Sequence, residues 1–302
     1  MTVRTEWRAH IGAHKTATTH LQQLLTHLDS EVHLPQAKIL PMSITRPALR
    51  YAAADNRSTG IQRRFRRDLK LRFKHARTLR QAAKGAPVAI LSEEDTLGWS
   101  QDQLGHCFYP NLSGLRLLKM ISEGDVLRIY LSVRSYHTLL PSAFFESYKV
   151  FPDAPERLRK STDSMLAGTA SWVELLERIS MSLPAAEINF WTQEDYAQQQ
   201  QNIVERFVGQ NLDPLPDLPR PKQTASPNAD ALLDVSRLDP DLPMRTRHRR
   251  VEEIYQANPR GRGPEPEFFS AQEMELLKSN YARDLKILSE RYTNIGMSQE
   301  VA

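Results

Sequence analysis

Hydrophobic and polar positions along the chain switch repeatedly between a period of two and a period near 3.6, the pattern of strands alternating with helices. Trp7, Ala9 and Ile11 alternate with Glu6, Arg8 and His10 as in a strand. Leu21, Leu24, Leu25 and Leu28 then fall at helical spacing, so the change occurs across Gly12 to Thr19. Residues 126–133 form a β-branched and aliphatic run that predicts a buried strand, and residues 87–91 and 187–191 predict two more. Helical patterns occupy residues 112–122, residues 137–150 with Pro141 placed to fix a kink, and residues 171–182 behind a Ser171 cap. The glutamines at 198–201 fall on a further helix that reaches Val208. This alternation predicts a three-layer α/β fold with a central, mainly parallel sheet and its functional loops at the carboxyl ends of the strands.

Prolines at 214, 216, 219, 221 and 227 predict an extended linker over residues 212–227. Charged helical patterns follow at 230–238, 244–256 and 270–291. The expected organisation is an α/β core over residues 1–211, the linker, and a helical C-terminal extension over 228–302 that packs on the core. A chain of 302 residues with 40% hydrophobic content is long enough to bury one large core. No uncharged apolar run approaches membrane-spanning length and no signal-peptide core is visible, so the expected localisation is cytoplasmic. Cys107 is the only cysteine, which excludes an intrachain disulfide or a dithiol site and fits a small inert residue.

The segment His10 to Gln22 places one lysine, Lys15, and three hydroxyls, Thr16, Thr18 and Thr19, in the turn between the first strand and its helix. The unpaired backbone N–H groups of a new helix point back into such a turn and its dipole favours an anion, so the segment reads as an anion cradle. It differs from the nucleotide P-loop, because His14 stands where that motif needs glycine and only two residues separate Gly12 from Lys15. An ordinary threonine-capped turn is the plain alternative.

The residues Gly12, His14, Lys15, Thr16, Ala17, Thr18 and Thr19 resemble the 5′-phosphosulfate loop of bacterial sulfotransferases that use 3′-phosphoadenosine 5′-phosphosulfate (PAPS), with its His-Ile-Gly-x-His-Lys-Thr-Gly-Thr-Thr pattern. Ala17 replaces the usual glycine, a substitution that is penalised if the backbone there needs positive φ. Arg134, directly after the 126–133 run, and Ser142 match the family's 3′-phosphate pair, in which a guanidinium fork and a hydroxyl distinguish the donor from ATP. The resemblance further aligns Glu94 with the glutamate that takes the acceptor proton while Lys15 stabilises the leaving oxygen; Glu93 and Asp95 are its rivals. Arg260 and Arg262, in the basic loop 258–264, match loosely the family's C-terminal Arg-Lys-Gly loop over the donor. Phe145 and Glu146, with Phe144 and Tyr148, follow Ser142 on one helix and are candidates for the acceptor pocket, as is Glu93. Residues 192–196, ending in Glu194, Asp195 and Tyr196, resemble a structural turn common after a late strand of this family, and Tyr281 and Asp284 on the terminal helix are compatible with it.

The resemblance implies a P-loop-like sulfotransferase fold and transfer of a sulfuryl group from PAPS to a hydroxyl or amine acceptor, with glycans and small molecules, anionic ones among them, as candidates. It implies no bound metal, and no histidine shows metal-ligand spacing with a second histidine or carboxylate. His14 is placed either to donate to phosphate or to orient the turn, and His10 to be packed or solvent-facing. The alternatives are a nucleotide-dependent phosphotransferase, which lacks its P-loop glycine here, and a non-catalytic module that binds nucleotide or polyanion.

Net charge is +4, unevenly spread. Between residues 62 and 84 the chain carries Arg63, Arg64, Arg66, Arg67, Lys70, Arg72, Lys74, Arg77, Arg80 and Lys84 against Asp68 alone. Ile61, Phe65, Leu69, Phe73 and Ala76 recur at helical spacing and predict the buried stripe of an amphipathic helix. Its basic face is either simply solvated or a surface that recruits an acidic acceptor or the charged donor. No zinc spacing, aromatic RNA-binding stretch or reading helix accompanies it, so nucleic acid is not expected.

Overall fold

The computed structural model describes residues 4–32, 34–54, 63–218 and 226–296. Six parallel strands form one sheet: β1 (Glu6–His10), β2 (Ala37–Ile39), β3 (Val88–Ser92), β4 (Val126–Val133), β5 (Glu187–Thr192) and β6 (Thr293–Asn294), in the order β2-β3-β1-β4-β5-β6. Helices cover both faces, as all-parallel sheets require. Alternate residues of each strand enter opposite cores: Ala89, Leu91, Ile129, Leu131 and Phe190 pack on one side, while Ile90, Tyr130 and Trp191 pack on the other. The second core is closed by Leu21, Leu24, Leu25 and Leu28 of α1 (Thr18–Glu31) and by Ile203, Val204 and Phe207 of α8 (Gln193–Val208).

The first core takes the remaining helices. These are α2 (Met42–Ala54), α3 (Arg63–Ala83), α4 (Leu115–Ile121), α5 (Tyr136–Tyr148), α6 (Ala154–Leu166), α7 (Trp172–Ser182) and, after α9 (Ala229–Ser236) and α10 (Met244–Ala257), α11 (Ala271–Arg291). The predicted Ser171 cap forms, its Oγ accepting from the Glu174 N–H at 3.0 Å, and Ser270 and Glu273 add a reciprocal capping box at the start of α11. The three-layer α/β arrangement expected from the pattern is therefore observed. The C-terminal extension also supplies a strand, since β6 pairs with β5.

Two expectations need correction or limits. On α3, Phe73 is 59% exposed and Arg72 only 5%, so the buried stripe is Arg72, Ala76, Leu79 and Ala83 rather than the one running through Phe73. A long side chain such as that of arginine buries its aliphatic stem along apolar surface while its charge reaches a polar partner. Ile61 and Gln62, with the side chains of residues 63–69, lie outside the described residues, as do Pro219 and Pro221. The described part of the proline-rich segment is extended and pinned to α8, with the Leu215 N–H donating to Gln201 Oε1 at 2.9 Å. No helix among the described residues is long and apolar enough to cross a membrane.

The sheet order fixes where a ligand is received. β1 lies between β3 and β4, α1 leaves β1 toward one face, and α5 leaves β4 toward the other. At the carboxyl ends of these two neighbours the chain opens a crevice, the usual binding position of an open α/β sheet.

Candidate active site

A cleft of about 1620 Å³ opens at that crevice, and Lys15, Ala17, Thr18, Thr19, Glu94, Arg134, Ser142 and Glu146 all line it. The loop after β1 is sterically specified. A Cβ at Gly12 would come within 2.8 Å of both His10 Cε1 and Thr18 Oγ1, so no larger residue fits. Lys15 and Ala17 both adopt φ of 67°, the left-handed region that favours glycine. The hydroxyls of Thr16 and Thr18 turn inward, Thr16 Oγ1 donating to the Ala13 carbonyl at 2.6 Å and Thr18 Oγ1 reaching the same oxygen at 3.4 Å. Among the described residues the N–H groups of residues 16–19 have no backbone partner, which leaves four donors at the start of α1.

His14 anchors this loop. Its backbone N–H donates to Tyr109 Oη at 2.9 Å, its Nδ1 lies 3.0 Å from the same oxygen, and its Nε2 lies 3.0 Å from Asp95 Oδ1. Tyr109 Oη accepts the backbone proton and gives its own to Nδ1, which assigns the ring proton to Nε2 facing Asp95. Both ring nitrogens are thus engaged, so of the two roles open to His14 the geometry supports orienting the turn. Asp95 also bonds Arg50. Burial alone pushes the Asp95 carboxyl up, but His14 and Arg50 outweigh it and hold the group below its usual value.

The loop after β1 and the end of β4 are physically joined. Arg134 Nη1 donates to the Lys15 carbonyl at 2.7 Å, and Nε donates to Thr138 Oγ1 at 3.0 Å. Burial lowers the Arg134 proton affinity, the expected effect on a cation taken from water. Behind Arg134, Trp172 Nε1 donates to its carbonyl at 2.9 Å. The Trp172 N–H donates to Tyr136 Oη at 2.8 Å, and that hydroxyl bonds Asp284. Glu194 accepts from the Ser135 N–H at 2.8 Å and from Tyr281 Oη at 3.0 Å. The aligned turn and the terminal helix therefore brace the strand end that carries Arg134.

The three consecutive acids separate in role. Glu93 is 0% exposed, bonds Arg46 Nε at 3.0 Å through Oε2, and does not line the cleft; burial raises its carboxyl. The expectation that Glu93 contacts substrate is thereby corrected: as the first residue after β3 it points away from the cleft, toward α2. Asp95 is engaged with His14 and Arg50, and Glu94 alone has no hydrogen bond or ion pair among the described residues while facing the cleft. Glu94 also borders a second cavity of about 610 Å³ shared with α1 and α2.

Of the other candidates, Phe145 and Glu146 line the cleft, whereas Phe144 and Tyr148 are buried against the core. Arg260 lines it and pairs with Glu265 at 2.7 Å; Arg262 does not line it. Residues 63–84 contribute nothing to the cleft among the described residues. The pattern did not single out Arg50, Lys149, Tyr255, Phe268 and Phe269, which also form its walls. Only the adjacent aromatic pair Phe268-Phe269 in a proline- and glutamate-rich loop carries a signal in the sequence. Among the described residues no group of three or more histidine, cysteine, aspartate or glutamate side chains could hold a metal ion. Comparison of the sequence with protein-family models and with curated proteins finds no match.

Proposed function

We propose that the protein is a sulfotransferase with a P-loop-like donor site, moving a sulfuryl group from PAPS to a hydroxyl or amine acceptor. The observation that carries this reading is the convergence of Lys15, Arg134, Ser142 and Glu94 on one cleft at the carboxyl ends of β1, β3 and β4. Four backbone donors at residues 16–19 and one ammonium suit a phosphosulfate. Arg134 and Ser142 suit a second phosphate on the same ligand, which a donor bearing a 3′-phosphate has and AMP lacks.

In the transfer step the acceptor oxygen or nitrogen forms a bond to sulfur as the bond from sulfur to the 5′-phosphate oxygen breaks. The electron pair of that bond stays on the leaving adenosine 3′,5′-bisphosphate, where Lys15 and the N–H groups balance the charge, and the acceptor proton passes to Glu94. Glu94 suits this role because no partner among the described residues holds its carboxylate, unlike those of Glu93, Asp95 and Glu146.

The test is a screen of hydroxyl and amine acceptors with radiolabelled PAPS, repeated with Glu94→Gln. Label should move to an acceptor, and the variant should lose turnover by about a hundredfold while still binding adenosine 3′,5′-bisphosphate. A protein that binds the bisphosphate but transfers label to nothing is a binding module. Full turnover in Glu94→Gln removes this glutamate as the base.

A further inference from the structure

The cleft has two ends of different chemistry, and α5 runs along both. It presents His137 and Thr138, then Pro141 and Ser142, then Phe145 and Glu146, to the cavity. At about 1.5 Å per residue the helix thus passes within a few turns from the phosphate half-site to an aromatic wall. Phe145 packs edge-to-face on Phe268, with ring centroids 5.4 Å apart and planes at 72°, and on Tyr255, at 6.2 Å and 81°. Phe269 continues the wall, its ring 6.3 Å from that of Phe268. Phe145, Phe268 and Phe269 are only half-buried, so apolar ring surface remains open to the cleft. Glu146, the neighbour of Phe145, holds Lys15 at 2.9 Å, which sets this wall directly against the reacting end of the donor site.

The charges on this side are already balanced. Lys149 pairs with Glu252 at 3.1 Å and Glu146 at 3.3 Å, Arg260 pairs with Glu265, and Arg50 pairs with Asp95. Apart from Lys15 and Arg134, these are the lysines and arginines of the cleft among the described residues, and each has an acidic partner. Glu267 faces the same cavity with no ion pair among the described residues. An anionic acceptor would find no uncompensated cation here and would lie beside an acid and a highly charged donor. The basic helix α3, the obvious recruiter of an acidic acceptor, reaches none of this surface among the described residues.

We propose that the acceptor is an uncharged or cationic compound carrying its hydroxyl or amine on a flat apolar ring system, packed on the open ring surface of Phe145, Phe268 and Phe269, and not an anionic glycan. The proposal rests on the sulfotransferase reading for the reaction, but the aromatic subsite itself binds without donor. The ring surface that these side chains leave open can take another planar ring in an offset or edge-to-face contact, and removing apolar surface from water supplies the affinity.

The experiment measures 2-naphthol binding to the full chain by calorimetry with no nucleotide present, a defined heparin oligosaccharide in parallel, and adenosine 3′,5′-bisphosphate separately. Naphthol should bind at one saturable site and weaken about tenfold or more in Phe145→Ala and in Phe268→Ala. Phe145→Leu and Phe268→Leu, which keep apolar volume, replace any alanine variant whose circular dichroism shows it unfolded, and should show a smaller loss in the same direction. Naphthol binding with no bisphosphate binding would leave the subsite standing and defeat the donor reading. Bisphosphate binding with no naphthol binding, or naphthol affinity unchanged in these variants, overturns the proposal. Oligosaccharide binding that displaces naphthol from the site overturns it as well.

Discussion

Glu146 Oε2 lies 2.9 Å from Lys15 Nζ, so the one lysine of the loop after β1 is ion-paired across the cleft before any ligand arrives. Burial pushes the Glu146 carboxyl up, but the Lys15 and Lys149 ammoniums outweigh it and hold the group below the usual carboxylate range. A carboxylate in that position is a poor proton acceptor and a good counter-ion.

Removing that counter-ion should strengthen anion binding. Glu146→Gln keeps the shape of the side chain but frees Lys15, and adenosine 3′,5′-bisphosphate should bind about two- to fivefold tighter, the scale of a partly exposed ion pair. Calorimetry on the parent and the variant measures the change. Weaker binding in the variant would mean that Glu146 holds Lys15 in its productive position.

Ala17 is the first helix cap position of α1 and sits at φ 67°, where an alanine costs about 1 kcal/mol. Ala17→Gly should raise stability by about that amount, less the entropy glycine adds to the unfolded chain. The urea midpoint should therefore move upward. A lower midpoint would show that the alanine methyl contributes packing that exceeds its backbone strain.

The fold has a built-in acid sensitivity at His10. This ring is fully buried, stacks on Trp191 at 5.3 Å, bonds Ser92 Oγ at 2.8 Å through Nδ1, and is pushed by burial down to about 3. With a depressed folded value, the unfolded chain binds the proton first as pH falls below about 6.5. Stability is complete above that pH and is lost toward pH 3, at about 1.4 kcal/mol per pH unit from this group. Denaturant titrations from pH 7 to 5 should show that slope reduced in His10→Gln, and an unchanged slope would assign the effect to other groups.

Tyr136 Oη joins Asp284 of α11 to the Trp172 N–H of α7, and Trp172 in turn holds the Arg134 carbonyl. Tyr136→Phe leaves the buried Asp284 without its hydroxyl donor and should destabilise the protein by about 1–3 kcal/mol. Chemical denaturation measures the loss. A neutral substitution would mean that the backbone N–H groups of Trp172, 3.2 Å from Asp284 Oδ2, and of Val173 satisfy that carboxyl without the hydroxyl.

The parts of this molecule that were legible in sequence are those written in local periodicity. The change from strand to helix across Gly12 to Thr19 and the long apolar β4 carry unambiguous periods, and the structure has both. On α3, hydrophobicity alone ranks Phe73 above Arg72, whereas the helix buries Arg72 and exposes Phe73. The aromatic wall of the cleft is only half visible in the sequence. Phe145 lies on a patterned helix, but Phe268 and Phe269 occupy a segment with no period at all, and Lys149 meets Glu252 across a sequence separation of 103 residues. The bond from Arg134 to the Lys15 carbonyl, 119 residues apart in the chain, was likewise invisible to any local pattern.

Calorimetry of adenosine 3′,5′-bisphosphate against AMP, with Arg134→Ala alongside, measures whether one cleft holds both phosphates of a 3′-phosphorylated adenosine donor. The bisphosphate should bind far more tightly than AMP. The variant should lose about 2 kcal/mol, roughly thirtyfold, toward the bisphosphate, the scale of a charge-assisted phosphate contact, and little toward AMP. Equal affinity of the parent protein for AMP and the bisphosphate would contradict the account.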